Sequence, residues 1–245
     1  MQELDVRQAR VTGGFWQPRL EINAQHAIWH QWQQLEQSGC IDNFRLLAEG
    51  KQGFREGWFF SDSDAYKWLD AAARVYATHP SRELAERMDA FIALIRGAQA
   101  EDGYLYTYNQ IHFPEVRWTN LQIEHELYCH GHLIEAAVSH FEATGQRHLL
   151  EIAEKAANLL VREFQGTGSE RTPGHEEIEI SLVRLYRATE KRQYLALAEH
   201  FVEQRGRTKP FGPRIFRENQ NVGRRAKQVP SGGRRTCRSI QGTQT

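Results

Sequence analysis

Three dipeptides punctuate this chain at the ends of helix-periodic stretches: Ala77-Thr78, Ala143-Thr144 and Ala188-Thr189. Each is followed, after a short turn, by an arginine and a leucine: Arg82 and Leu84, Arg147 and Leu150, Arg192 and Leu195. Apolar residues recur at three- and four-residue spacing over 20–35, 65–76, 84–95, 121–141, 149–164, 178–186 and 194–201, and few stretches alternate as strands do. Turns this short force neighbouring helices to run antiparallel. Three similar hairpins in series predict a stacked or toroidal all-α array in which each hairpin buries a face against the next. Breakers agree with this partition. Pro80-Ser81 with Glu83 after it marks a helix start, and Gly145 marks a helix stop.

Charge divides the chain in two. The whole carries 31 basic and 31 acidic residues, which gives no reason to expect a nucleic-acid or acidic-lipid partner. From Thr208 onward, however, nine basic residues stand against the single acid Glu218. That tail holds Gly, Pro, Arg and Gln with few large apolar groups and is too polar to offset its ordering entropy. The predicted division is a helical body, 1–207, and an irregular basic tail, 208–245, disordered or foreign to the fold. The three cysteines, Cys40, Cys129 and Cys237, are odd in number and widely spaced. No disulfide framework is expected, and a reducing, cytoplasmic setting fits. The start, Met1-Gln2-Glu3-Leu4-Asp5, lacks the features of a signal peptide, and no apolar run approaches a membrane span.

Chemistry concentrates in His125-Glu126-Leu127-Tyr128-Cys129-His130-Gly131-His132. At about 100° per residue, His125, Cys129, His132 and Ala136 share one stripe, with Ile123, Leu127, Ile134 and Phe141 on another. Three readings stay open. The stripe could supply zinc ligands, the histidines could hydrogen-bond a polar ligand, or they could be satisfied structural groups. His-Glu-x-x-His is spoiled by Cys129. In Gly174-His175-Glu176-Glu177-Ile178-Glu179, Glu176 and Glu177 suit a helix's first turn, and His175 and Glu179 stand one turn apart. In Ser61-Asp62-Ser63-Asp64-Ala65-Tyr66-Lys67-Trp68, the acids suit a helix cap, while Tyr66 and Trp68 suit either core or a sugar platform.

These segments, in order, resemble glycoside hydrolase family 127, the β-L-arabinofuranosidase-like proteins. The matching stretches are Gly14-Phe15-Trp16, Ile41-Asp42-Asn43-Phe44, Asp62 to Leu69, Ala98-Gln99 with Asp102-Gly103-Tyr104-Leu105, His125 to Tyr128 with Gly131 to Ala137, Gly174-His175 with Glu177 to Glu179, and Arg205-Gly206. The resemblance covers about 11–207 and the N-terminal part of the catalytic domain. It implies a partial (α/α)6 barrel and retaining hydrolysis of a terminal β-L-arabinofuranosyl residue. It also implies zinc, held by three cysteines and a glutamate, with a cysteine thiolate as nucleophile and a separate glutamate as acid and then base. In this family those groups lie in the later half of the barrel. The chain has no Glu-x-Cys and no Cys-Cys, so no metal and no catalytic residue are expected on it. What the resemblance carries over is substrate binding, by His125 and His175, with Asp64, Tyr66 and Trp68 as pocket wall. The expected partner is an arabinofuranoside-type glycan, and open inner-helix surfaces make self-association possible. A sugar epimerase or isomerase on a helical barrel, and a non-catalytic carbohydrate-binding remnant, are the alternatives.

Overall fold

The computed structural model describes residues 10–207, so the basic tail 208–245 lies outside the described residues. The helices are α1 (Gln17–Ile22), α2 (Ile28–Gln37), α3 (Cys40–Ala48), α4 (Ser61–Thr78), α5 (Arg82–Ala98), α6 (Thr107–His112), α7 (Glu126–Thr144), α8 (His148–Phe164), α9 (Ile178–Thr189) and α10 (Arg192–Gln204). A π-helical turn, Asn23–Ala27, joins α1 to α2. No strand occurs among the described residues.

Each Ala-Thr pair ends a helix, as the repeat predicts. The reason is visible at the threonines, whose hydroxyls donate to carbonyls of the last turn: Thr78 to Val75, Thr144 to His140 and Thr189 to Leu185. Ser81 caps α5 by accepting from the Leu84 amide at 3.1 Å. Gly145 ends α7 with φ +74°. Leu84 and Leu150 are buried. In the third hairpin Tyr194 takes the buried place instead, and Leu195 is only partly covered.

The hairpins α4/α5, α7/α8 and α9/α10 form two layers. In one, α7 packs on both α4 and α9; in the other, α8 lies between α5 and α10. Because each hairpin reverses the chain, α4, α7 and α9 run parallel and begin at the same end. Between the layers lies an apolar core. Near α4 it holds Phe44, Tyr66, Trp68 and Phe91, and further along Leu133, Leu160, Phe164 and Phe201. Ile180 and Val202 stand exposed on α9 and α10, at the edge of the array. This is the partial (α/α)6 barrel of the sequence reading. Helices α3 and α6, by contrast, are too short to show a period there.

The largest departure is the start of α7. Periodicity begins at Leu121, but the helix begins at Glu126 and His125 is its non-helical cap, with φ −91° and ψ 37°. His125 therefore does not share a helical stripe with Cys129 and His132. The segment before it folds against the loop at 172–175: the Gly174 amide donates to the Leu121 carbonyl at 2.9 Å, and Gln122 Nε2 to the Thr172 carbonyl at 2.9 Å. Gly174 is required there because a Cβ would run into the Gln122 carbonyl.

Candidate functional site

The zipped loops bring together the two histidines that the sequence singles out. The rings of His125 and His175 lie 4.3 Å apart. Phe59 and Phe60, just before α4, flank His125 at 5.1 and 5.4 Å. Tyr128 stands beneath both imidazoles, 5.2 Å from each, and 4.5 Å from His132. The cluster thus sits where α4, α7 and α9 begin.

His125 is fixed in one tautomer. Its Nδ1 lies 2.7 Å from the Ile123 carbonyl and so carries the hydrogen, which leaves Nε2 as an acceptor. Burial, and after it the neighbouring His175, lower its pKa to about 4, so the ring is neutral at ordinary pH. Burial does the same to His132. Its Nδ1 lies 3.3 Å from Glu177 Oε1, and burial with the charge of Glu135 raises Glu177 to about 7. His132 Nε2, Glu135 Oε1 and Glu177 Oε1 are buried polar atoms with no hydrogen-bond partner in the protein. Gly131 admits this arrangement, since a Cβ there would meet the Glu177 side chain at 2.7 Å and the start of α9 at 3.3 Å.

Arg205, just past α10, secures the His175 loop. It donates to the His175 carbonyl at 2.7 Å, to the Pro173 carbonyl at 3.0 Å and to Glu179 Oε1 at 2.7 Å. Glu179 and His175 are therefore linked through one guanidinium and do not form a shared cavity face. Asp64 is exposed on α4, 3.5 Å from Lys67, whose ammonium lies 5.0 Å from the Tyr128 ring. Asp64 accordingly borders the cluster.

Tyr66 and Trp68 lie elsewhere. Trp68 packs 4.5 Å from Trp32, and its indole N–H donates to the Ile28 carbonyl at 2.9 Å. Tyr66 is fully buried 5.6 Å from Phe44. Both are core residues: Trp68 packs against α2 and Tyr66 against α3. Asp62 is no helix cap either. It is fully buried, accepting from the Thr107 amide and hydroxyl at 2.6 Å each and from Arg55 at 3.3 Å.

Phe59, Phe60, Tyr128, Lys67 and Arg205 carry no role in the sequence reading, which takes Glu177 as a first-turn acid. Tyr128, Lys67, Glu177 and Arg205 all lie inside quoted matching segments, so position within those segments was the available signal. The zinc cage implied by the resemblance needs cysteine thiolates. Among the described residues the thiols are Cys40 and Cys129, both buried, facing the Ser61 carbonyl at 3.1 Å and the Phe60 carbonyl at 3.8 Å. Burial, and then the charge of Asp62, push both thiols upward. They do not fit a thiolate cage, and no catalytic step is assigned to them.

Layered helical hairpins with a histidine- and aromatic-bearing cluster at the starts of the parallel helices define the class as an α/α barrel domain. Comparison with known proteins gives the family. The model of the β-L-arabinofuranosidase, GH127 catalytic domain matches residues 8–234, and the chain belongs to that family. It is 33% identical over 229 residues to the non-reducing end β-L-arabinofuranosidase of Bifidobacterium longum subsp. longum, covering 82% of this chain and 34% of that protein. The crystal structure of a GH127 β-L-arabinofuranosidase from Geobacillus stearothermophilus T6 superposes with a TM-score of 0.80 at 39% identity, over 87% of this chain and 35% of that one. A second GH127 β-arabinofuranosidase structure gives 0.77 at 34%, over 84% and 34%. The chain thus spans about a third of the length of these relatives. No described helix is long and apolar enough to cross a membrane.

Proposed function

We propose that this chain is the sugar-holding part of a β-L-arabinofuranosidase-type glycosidase, and that His125 and His175 grip the hydroxyls of a terminal arabinofuranosyl residue. The observation that carries this is the pairing of the two imidazoles at 4.3 Å from loops fifty residues apart. The supporting chemistry is consistent. A neutral imidazole accepts at one nitrogen and donates at the other, which matches a sugar hydroxyl. The His125 Nε2 lone pair is left for an incoming donor, and the Tyr128, Phe59 and Phe60 rings offer apolar faces to a furanose. Further along α7, the buried His132 Nε2 and Glu135 Oε1 have no hydrogen-bond partner in the protein.

The 245-residue chain binds such a sugar without hydrolysing it. Hydrolysis with retention needs an activated nucleophile and an acid/base group at the same anomeric carbon. Among the described residues, the buried thiols of Cys40 and Cys129, pushed upward by burial, supply no nucleophile. Those thiols also favour the non-catalytic carbohydrate-binding alternative for this chain by itself. The test is to incubate the chain with a chromogenic β-L-arabinofuranoside, zinc and reductant, and to follow binding and leaving-group release separately. Binding without release is expected. Release of arabinose overturns the inactivity, and a folded chain that ignores the sugar overturns the binding role.

A further inference from the structure

We propose that Asp89, His140 and His148 form a binding site for a divalent metal ion of the zinc type. One ligand atom from each of the three lies within 4.8 Å of the others. The three come from different helices: Asp89 from α5, His140 from the last turns of α7 and His148 from the first position of α8. His148 Nε2 lies 3.4 Å from Asp89 Oδ1, and the two imidazoles lie 4.9 Å apart. Arg96 donates to the His148 carbonyl at 3.0 Å and so fixes the backbone under that ligand.

The independent observation is at His140. Its side chain is 1% exposed, yet its Nδ1 has no hydrogen-bond partner in the protein. Leaving a buried polar atom unpaired is costly, and most such atoms in proteins find a partner. Burial first, and then His148, hold its pKa down to about 4, so the ring keeps the neutral form that ligates metals.

Two imidazoles and one carboxylate, with a fourth position for water, match the donor preference of zinc. A tetrahedral ion with bonds of about 2.0–2.1 Å sets ligand atoms about 3.3 Å apart. The present spacing must therefore contract. Asp89 is exposed and His148 partly so, and both have room to turn toward the anchored His140. The ion would pin two outer helices to the far end of α7. That point is fifteen residues from His125, about 22 Å along the helix. The sequence reading expected no metal on this chain.

The experiment uses the tag-free chain, stripped with chelator and titrated with Zn2+ by calorimetry and by melting. One ion per chain is expected, with a rise in Tm of about 5 °C or more at a hundredfold excess over Kd. Substituted Co2+ should show visible bands without a thiolate charge-transfer band. Asp89→Asn and His148→Ala, both at accessible positions, should each weaken binding about tenfold or more and remove the melting shift, with unchanged Tm in the absence of metal. Failure of the unsubstituted chain to bind Zn2+ at about 100 µM overturns the proposal. So does binding that survives in both variants, or a cobalt spectrum with a thiolate band.

Discussion

His125 and Glu126 are neighbours in the chain and opposites in their surroundings. Glu126 points back into the protein, fully buried. Its Oε1 accepts from the Tyr104 hydroxyl at 2.5 Å, Asn109 at 3.1 Å and the Trp118 amide at 3.1 Å, and its Oε2 from the same amide at 2.9 Å. His125 points the other way, toward Phe59, Phe60 and His175, and holds one backbone carbonyl. Arg55 and Asp62 extend the Glu126 pattern, since the guanidinium reaches three carbonyls, two hydroxyls and one carboxylate. Polar groups that the fold satisfies by itself hold the loops in place. His125, with Nδ1 held by a carbonyl, keeps Nε2 for a ligand.

The comparison breaks most easily on the satisfied side. Asp62→Ala strands the Arg55 charge in a dry site and should cost about 3–5 kcal/mol. Urea denaturation checks this, and a loss under about 1 kcal/mol would show that the network is not holding the loops. Next comes Gly174→Ala, whose Cβ must displace the Gln122 carbonyl and separate the loops. Overpacking of that kind costs about 1–3 kcal/mol. It should also lower affinity for an arabinofuranoside by about tenfold or more, because the two imidazoles part.

Acid sharpens the same contrast. His125, His130, His132 and His140 have folded pKa values near 4, against an unfolded value of 6.5. Their contribution is complete above about 6.5 and is lost as pH falls toward 4. Glu126 and Glu177, raised to about 7, act in the opposite sense, their stability being lost as pH rises from 4.5 toward 7. Four histidines against two glutamates leave a net uptake of protons on unfolding, so stability should fall between about pH 6.5 and 4.5. Urea midpoints across that range test it, and His130→Gln should flatten the slope. Smallest is Arg205→Lys. A lysine cannot reach Glu179 and both loop carbonyls at once. Sugar affinity should drop a fewfold, with stability changed by about 1 kcal/mol in urea titrations.

Much of the fold was legible because each Ala-Thr hairpin end repeats a local solution, a threonine hydroxyl folded back onto the last turn. The length of α7 was not legible. The apolar period runs through Leu121 and Ile123 unbroken, and only the contact with residues fifty positions later shows that this stretch is a loop. The site followed the same rule. His125 and His175 came from matching segments, whereas Trp68 and Tyr66 lay in one such segment yet face the core, since resemblance does not say which way a helix is turned. Arg55 matches no motif, because its partners are irregular loop carbonyls at 56–58, Ser61, Asp62 and the distant Thr107.

The most direct test of the account is to titrate the chain and its His125→Ala variant with an unreactive β-L-arabinofuranoside by calorimetry, and to melt both. The account predicts that the variant loses about tenfold or more in affinity while its Tm stays within a few degrees of the parent, because His125 satisfies little besides a ligand. Equal affinity in the two chains would contradict it.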